Sequence, residues 1–462
     1  MTSLTFYGGI GEIGGNKILL KDGDTSIFLD FGKNFSRERQ FYDEPYLSPR
    51  EEKHLIYLGI LPQISGLYKK DEGEPAIDAI VLSHPHADHW DYIRYVKDSV
   101  PIFCGETAKT MIVARELAST GQRADYRIAS LSSSQGEQVC KEFHTFRTGD
   151  ILNIGSIKLE PVHVDHSVPG AYGFIIYTSD GVIAYTGDFR LHGPQAAMSR
   201  EFIARAKEVH PEVLITEATN IVDAKMVTEN EVAEKIRGIV ATTRRLALAG
   251  FYLNDMDRLT TFWQAARTNN RQLAVSTKQA WLVHNLRGDK HLNLLGLDDP
   301  CIRIFQREKK RLYAWENILT EHYPDKMVDA RHVNAHQDEL LLAASFWDMN
   351  EMVEVQPEPG SVYILSQSEP FNEEMEIDYN KLLNWLEICG LPLYQVHASG
   401  HVNPDQLKWA IQEINPGRLY PIHTERPKLL VAYISDLKIE VVCPVSGVEY
   451  KLQLGKKDSN LP

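Results

Sequence analysis

The densest chemistry in this chain lies in Ser83-His84-Pro85-His86-Ala87-Asp88-His89-Trp90, directly after the apolar run Ala79-Ile80-Val81-Leu82. Four ligand-competent side chains within six residues, just past a strand, form a compact chelating loop. Imidazoles and a carboxylate suit borderline or hard divalent cations such as zinc or manganese. The alternating His84 and His86 can face one ion, and Asp88 and His89 can reach a second. A lone histidine is ordinarily a hydrogen-bonded core or surface residue, and that reading holds for most of the 17 histidines. It does not account for four ligands at this spacing.

Two further segments carry ligands. His163-Val164-Asp165-His166-Ser167 closes the alternating run Ile157–His163, and Tyr185-Thr186-Gly187-Asp188-Phe189-Arg190 closes Val182–Tyr185. An aspartate at a strand end can bridge two cations, neutralising both. Read alone, each segment is as well explained as a polar turn, and it is the first motif that raises both.

The elements that must position these residues are short. Asn16–Leu20 and Ser26–Phe31 flank Lys21-Asp22-Gly23-Asp24, and Gly173–Tyr177 and Val182–Tyr185 flank Ser179-Asp180-Gly181, so both pairs predict hairpins. Thr107–Thr120, Glu229–Thr243 and Asp255–Thr268 have helical periodicity. Interleaved strands and helices that begin with hairpins predict an α/β sandwich rather than a purely parallel doubly wound sheet. From about Ile221 to Met352 the helices lengthen, and Pro357, Pro359 and Gly360 then lead into a strand over Val362–Leu365. The pattern predicts an inserted domain over 221–360 between a core at 1–220 and its return at 361–462.

Gly9-Ile10-Gly11-Glu12-Ile13-Gly14 matches GxGxxG, with Asp30 where a ribose-binding acid would sit. A dinucleotide site needs a helix to start at those glycines. Asn16–Leu20 followed by an Asp-Gly turn leaves no room for one, so a glycine-rich turn is the better reading.

Composition bounds the rest. With 462 residues, 43% hydrophobic and 24% charged, the chain can bury a large core. A net charge of −14 excludes nucleic-acid binding by bulk charge, so any polyanion site must be a local basic cleft. The N-terminus lacks a signal-peptide pattern and no run is long and apolar enough for a membrane span, which predicts a cytoplasmic protein without membrane contact. Five scattered cysteines make neither a disulfide framework nor a CxxC zinc site.

Taken in order, the HxHxDH loop, His166 and Asp188, with His423 in Pro421-Ile422-His423, resemble the metallo-β-lactamase hydrolases. Ile215-Thr216-Glu217-Ala218-Thr219, His397-Ala398-Ser399-Gly400-His401 and Pro421–Glu425 are similar to motifs A, B and C of the β-CASP group. The 22 positions from His401 to His423, Gly11–Asn16 and Asp165–Gly170 match the shorter, archaeal-type ribonuclease J. The resemblance implies an α/β architecture: an αββα sandwich with an inserted α/β β-CASP domain. Only Thr424–Pro462 follow His423, too few for the C-terminal domain that supports dimerisation in bacterial relatives.

The same resemblance implies a two-metal ribonuclease. His84, His86 and His166 would hold one Zn2+ (or Mn2+), Asp88, His89 and His423 the other, with Asp188 bridging. Asp88 and Asp188 then serve catalysis as well as binding. His401 would act on the leaving oxygen with Glu217 orienting it, and His397, Ser399 and Arg258 would contact RNA phosphate. Arg303, Arg307, Lys309, Lys310 and Arg311 are further backbone candidates, and Trp263, Trp281 and Tyr252 stacking candidates, although such a charge run is more often a solvated face. The expected partner is single-stranded RNA carrying a 5′-monophosphate, degraded 5′ to 3′, with a homodimer one open assembly. An endoribonuclease, a DNA nuclease and a non-catalytic RNA-binding subunit are the alternatives. His423 at motif C speaks against the DNA branch, and the complete ligand set against a silent subunit.

Overall fold

The computed structural model describes residues 1–43, 46–119, 123–132, 136–222, 227–368 and 373–452. Among them, three seven-stranded sheets carry the architecture. The first runs Glu449–Lys451, Thr2–Gly8, Lys17–Asp22, Thr25–Phe31, Ala79–Val81, Ile102–Gly105, Phe143–Phe146. The second runs Glu440–Val441, Arg418–Ile422, Val213–Glu217, Gly181–Tyr185, Tyr172–Thr178, Ile157–His163, Leu152–Ile154.

Side-chain alternation makes these sheets face each other. Leu4, Phe6, Ile18, Leu20, Ile27 and Leu29 point into a shared core with Phe174, Ile176, Ile183, Tyr185, Val213 and Ile215. The residues between them point outward: Leu19 and Phe28 meet Ile112 of the helix Glu106–Leu117, while Ile175, Ala184 and Leu214 meet Phe202 and Ile411 of helices Ala196–Val209 and Pro404–Ile414. A period of two with both faces buried gives the αββα sandwich that the sequence predicts.

The third sheet, Met327–Val328, Ile302–Phe305, Gln272–Ser276, Leu340–Ala343, Ala247–Gly250, Val362–Leu365, Leu393–Gln395, is parallel throughout. Ala247, Ala249 and Leu341 pack on one side and Leu246, Leu248 and Leu342 on the other. The division expected at 360 falls inside this unit, because Val362–Leu365 pairs with Ala247–Gly250 and Leu393–Gln395 pairs with it in turn. Parallel neighbours need a long crossover, supplied here by Glu373–Ile388. By sheet membership the insert therefore extends to Gln395. Helix Glu106–Leu117 joins the two bodies: Ala108 and Ile112 pack into the sandwich, Met111, Ala114 and Leu117 against the insert.

The glycine-rich segment is a turn, as predicted. Gly9, Gly11, Gly14 and Gly15 all have positive φ, and the chain then enters the strand Lys17–Asp22. A Cβ on Gly14 would lie 2.5 Å from Oδ2 of Asp88, so only glycine lets this turn close on the metal loop.

No helix among the described residues is long and apolar enough to cross a membrane.

Candidate metal centre and active-site cleft

The chemistry-bearing side chains leave strand ends on one edge of the sandwich. Ala79–Val81 delivers the HxHxDH loop, Ile157–His163 delivers His166, Gly181–Tyr185 delivers Asp188, Val213–Glu217 ends on Glu217 and Arg418–Ile422 precedes His423. The last four strands all run the same way, since Ile157–His163 and Gly181–Tyr185 are each antiparallel to the strand between them and the remaining pairings are parallel.

Nε2 of His84 lies 3.1 Å and Nε2 of His166 3.0 Å from Nδ1 of His86. Burial, reinforced by neighbouring imidazoles, holds His84 and His166 well below the usual histidine range; burial takes His86 to about 4, against the pull of Asp88 and Asp188. Neutral imidazoles so arranged bring ring nitrogens together with too few protons to satisfy them. Nδ1–H of His166 donates to the Gly400 carbonyl at 2.6 Å, which leaves Nε2 bare towards the cluster.

Beside this trio, Oδ2 of Asp188 lies 3.3 Å from Nε2 of His89, 3.6 Å from His423 and 3.7 Å from His84. Oδ2 of Asp88 is 3.2 Å from Nε2 of His423. Burial opposes a charge on His89, yet Asp188, Asp30 and Asp88 hold its pKa well above the usual range. The site is therefore strongly selective for positive charge. Oδ1 of Asp188 is buried without a hydrogen-bond partner in the described structure. Converging neutral nitrogens, surplus carboxylate and an unsatisfied buried oxygen fit divalent cations. His84, His86 and His166 form one group able to hold an ion, Asp88, His89 and His423 another, and Asp188 adjoins both.

The groups behind the cluster fix it. Asp30, a residue with φ of 59°, accepts from His89 Nδ1 at 2.8 Å and from the Ser83 N–H at 2.7 Å. The Thr219 hydroxyl lies 2.8 Å from Nδ1 of His423 and donates to Glu217 at 2.6 Å. Glu217 is fully buried; its Oε1 takes the Phe189 N–H at 2.9 Å and its Oε2 lies 2.9 Å from Nδ1 of His401. Both oxygens of Glu217 are thus engaged, although Asp188, Glu217, His401 and His423 also converge closely enough to form a potential ligand group. Burial would lower the His401 pKa, but the Glu217 carboxylate and its hydrogen bond, with Asp188 and Asp88 beyond, lift it to about 9.

A cleft of about 810 Å³ opens over these groups, lined by His86, Asp88, Asp188, His397, Ser399, His401 and His423 and, from the insert, by Tyr252, Asn254 and Lys278. The Ser399 hydroxyl accepts from Nδ2 of Asn220 at 3.0 Å and from the His401 N–H at 3.2 Å. The imidazole of His192 lies 2.9 Å from the Ser399 carbonyl, so the turn carrying His401 is held on both sides.

All seven expected ligands, together with Glu217 and His401, meet in one place, and His397, Ser399, Tyr252 and Trp281 line the cleft. Arg258 does not. It is fully buried, its guanidinium 2.9 Å from Glu229, in a network where Glu229 and Asp257 also receive Arg190. Buried guanidinium paired this way cannot reach a phosphate. Trp263 lines a separate groove with Arg237 and Arg267, away from the cleft. Arg307 and Lys309 are paired with Asp348 and Glu316. Asp30, Thr219, Asn220 and His192, to which the sequence reading assigned no individual role at this centre, gain their places there from contacts brought together by the fold.

A sandwich of two mixed sheets with a His/Asp cradle at its strand ends is the architecture of a metallo-β-lactamase-type hydrolase. Residues 63–249 match the family model described as Beta-lactamase superfamily domain. Ribonuclease J of Thermus thermophilus is 25% identical over 431 residues, spanning 90% of this chain and 67% of that protein. Ribonuclease J2 of Bacillus subtilis is 24% identical over 428 residues, with 90% and 68% covered. A solved Enterococcus faecalis protein of unknown function shares the fold, with a TM-score of 0.76 over 97% of this chain and 99% of that one at 23% identity. These matches support a likeness of the chain to the ribonuclease J proteins and to the metallo-β-lactamase family.

Proposed function

We propose that this chain, a metal-dependent ribonuclease of the metallo-β-lactamase family, hydrolyses single-stranded RNA from a 5′-monophosphorylated end with two divalent cations, zinc or manganese. The observation that carries the reading is the convergence of seven ligand-competent side chains beside the Glu217–His401 pair at the floor of a cleft. His84, His86 and His166 would hold one cation and Asp88, His89 and His423 the other, with Asp188 between them. Bound cations at such a centre supply Lewis acidity, polarising phosphoryl oxygens and making a water acidic.

The protein's own groups do the rest. His401, kept protonated by Glu217, offers an N–H to the oxygen that leaves as the P–O bond breaks. Asn220 and His192 hold the turn that aims it. Ser399 and His397 face the cleft where a terminal phosphate would sit. The insert, taken as the stretch from beyond Ile221 to Gln395, forms the opposite wall and shields the centre from bulk water.

The test is incubation of the purified protein with 5′-monophosphate, 5′-triphosphate and circular RNAs of one sequence, with added zinc or manganese. Short products released progressively from the monophosphorylated RNA alone are expected. Cleavage of the circle at an equal rate would replace end recognition with internal cutting.

A further inference from the structure

The cleft is lined by more than the metal-ligand cluster, and the wall outside that cluster, the far wall, has properties that the hydrolytic chemistry does not use. Trp347 lines it with 75% of its surface exposed, touching only the edge of Phe346 among the described aromatic rings. Tryptophan is among the most extensively buried residue types on average, and an indole left open on a cleft wall is an unfilled contact surface. Beside it, Asp348 receives Arg307.

Lys278 and Arg115 line the same stretch. Among the described residues neither makes a hydrogen bond or an ion pair, unlike Arg307 and Lys309, which are taken by Asp348 and Glu316. Burial and then the positive charges of Arg307, Lys309 and Arg115 hold the Lys278 ammonium below its usual range, so all four cations share one local field. The two open cations come from different bodies, Arg115 from helix Glu106–Leu117 of the sandwich and Lys278 from helix Thr277–Leu286 of the insert. Their spacing is fixed by a hydrogen bond across the seam: the Trp281 indole N–H, one helical turn from Lys278, donates to the carbonyl of Ala114 at 2.8 Å. In a chain of net charge −14, two cations without side-chain partners among the described residues, set together on a cleft wall, suit an anion.

We infer that Trp347, Lys278 and Arg115 form a strand-holding subsite, in which an unpaired base stacks on the Trp347 indole while Lys278 and Arg115 hold the adjoining phosphates. This rests on the ribonuclease reading and adds a length requirement to it. A strand long enough to span the cleft is gripped at both the metal centre and the far wall; a trinucleotide is gripped only at the centre. The aromatic face accepts any base, so the grip is indifferent to sequence.

The test compares a 5′-phosphorylated trinucleotide with a 20-mer of single-stranded RNA in the metal-loaded protein. The Arg115→Ala/Lys278→Ala double variant and Trp347→Ala should each raise KM for the 20-mer about tenfold, as for loss of a stacked base or two phosphate contacts. Neither should change kcat/KM for the trinucleotide, which doubles as the control for folding. Trp347→Phe should restore most of the loss. The double variant should also flatten the salt dependence of 20-mer binding, by about 0.7 in log–log slope per contact removed. Equal effects on both substrates, or none on either, overturn the subsite. If the unaltered protein cut neither RNA, the ribonuclease reading would fail, and 20-mer binding by fluorescence anisotropy that still depended on Arg115 and Lys278 would leave the subsite standing.

Discussion

Oδ2 of Asp30 lies 2.8 Å from Nδ1 of His89, with both side chains fully buried and the Tyr185 hydroxyl donating to the same oxygen at 2.5 Å. The carboxylate fixes the tautomer and tilt of His89, so Nε2 points at Asp188. Asp30→Asn should lower divalent-metal affinity by about 10- to 100-fold. Asparagine tolerates the left-handed backbone at this position, so the change isolates the carboxylate. Titration against a competing chelator measures it, and unaltered affinity in the folded variant would show that Asp30 is only structural.

Asp30 also marks the limit of what the sequence discloses. Its partners come from the HxHxDH loop and the strand Gly181–Tyr185, and no local spacing encodes that meeting. The candidate ligands stood out in the sequence because they cluster in loops after short apolar strands, where few structural demands explain so many imidazoles. The sandwich was legible from interleaved strands and helices that begin with hairpins. Arg258 misled because an arginine after Asn254 and Asp255 looks alike whether it meets phosphate or Glu229, which lies on another helix. The insert boundary misled because Pro357, Pro359 and Gly360 suit a domain linker and a loop within a parallel sheet equally well, and only the pairing of Val362–Leu365 with Ala247–Gly250 decides.

Asp188 is the carboxylate adjoining both ligand groups. Asp188→Ala should abolish turnover and reduce bound metal, whereas the unaltered protein should carry about two divalent ions per chain, since seven ligands exceed what one tetrahedral ion uses. Elemental analysis reads this directly, and less than one ion in active, unstripped protein would sink the two-ion scheme.

His401→Ala should keep metal and RNA binding but lose on the order of 10² to 10⁴ in kcat, the range for removal of a general acid. Glu217→Gln should cost less and carry a pH signature. Losing the carboxylate that raises the His401 pKa makes the proton leave at lower pH, so the alkaline fall of the rate should shift to lower pH. If His401→Ala lost metal instead, His401 would be a ligand.

Arg258→Ala leaves the buried Glu229 carboxylate with Arg190 as its remaining guanidinium partner, and breaking a buried pair from one side costs up to roughly 3–5 kcal/mol. A large drop in Tm is expected, with KM for RNA unchanged at temperatures where the variant remains folded. A raised KM at full stability would restore the phosphate-binding role.

Substrate choice follows from where the centre sits. The ligands lie at the floor of a cleft walled by the sandwich and the insert, which admits an unpaired strand more readily than an A-form helix, so hairpins and duplexes should resist. Ser399 and His397 line the cleft with His401, on the turn that Asn220 holds, and under the proposed reading a terminal phosphate bound there would set the distance to the scissile bond. A doubly charged terminus gains more from such donors than an internal diester does. Mononucleotides or very short products should therefore dominate. Ser399→Ala should narrow the preference for 5′-monophosphate over 5′-hydroxyl RNA and leave metal content untouched, because its hydroxyl faces Asn220 and His401 rather than the ligands. Rates that were equal on 5′-monophosphate, 5′-hydroxyl and circular RNA would show that the end is not recognised and that the cleft passes RNA through to be cut internally.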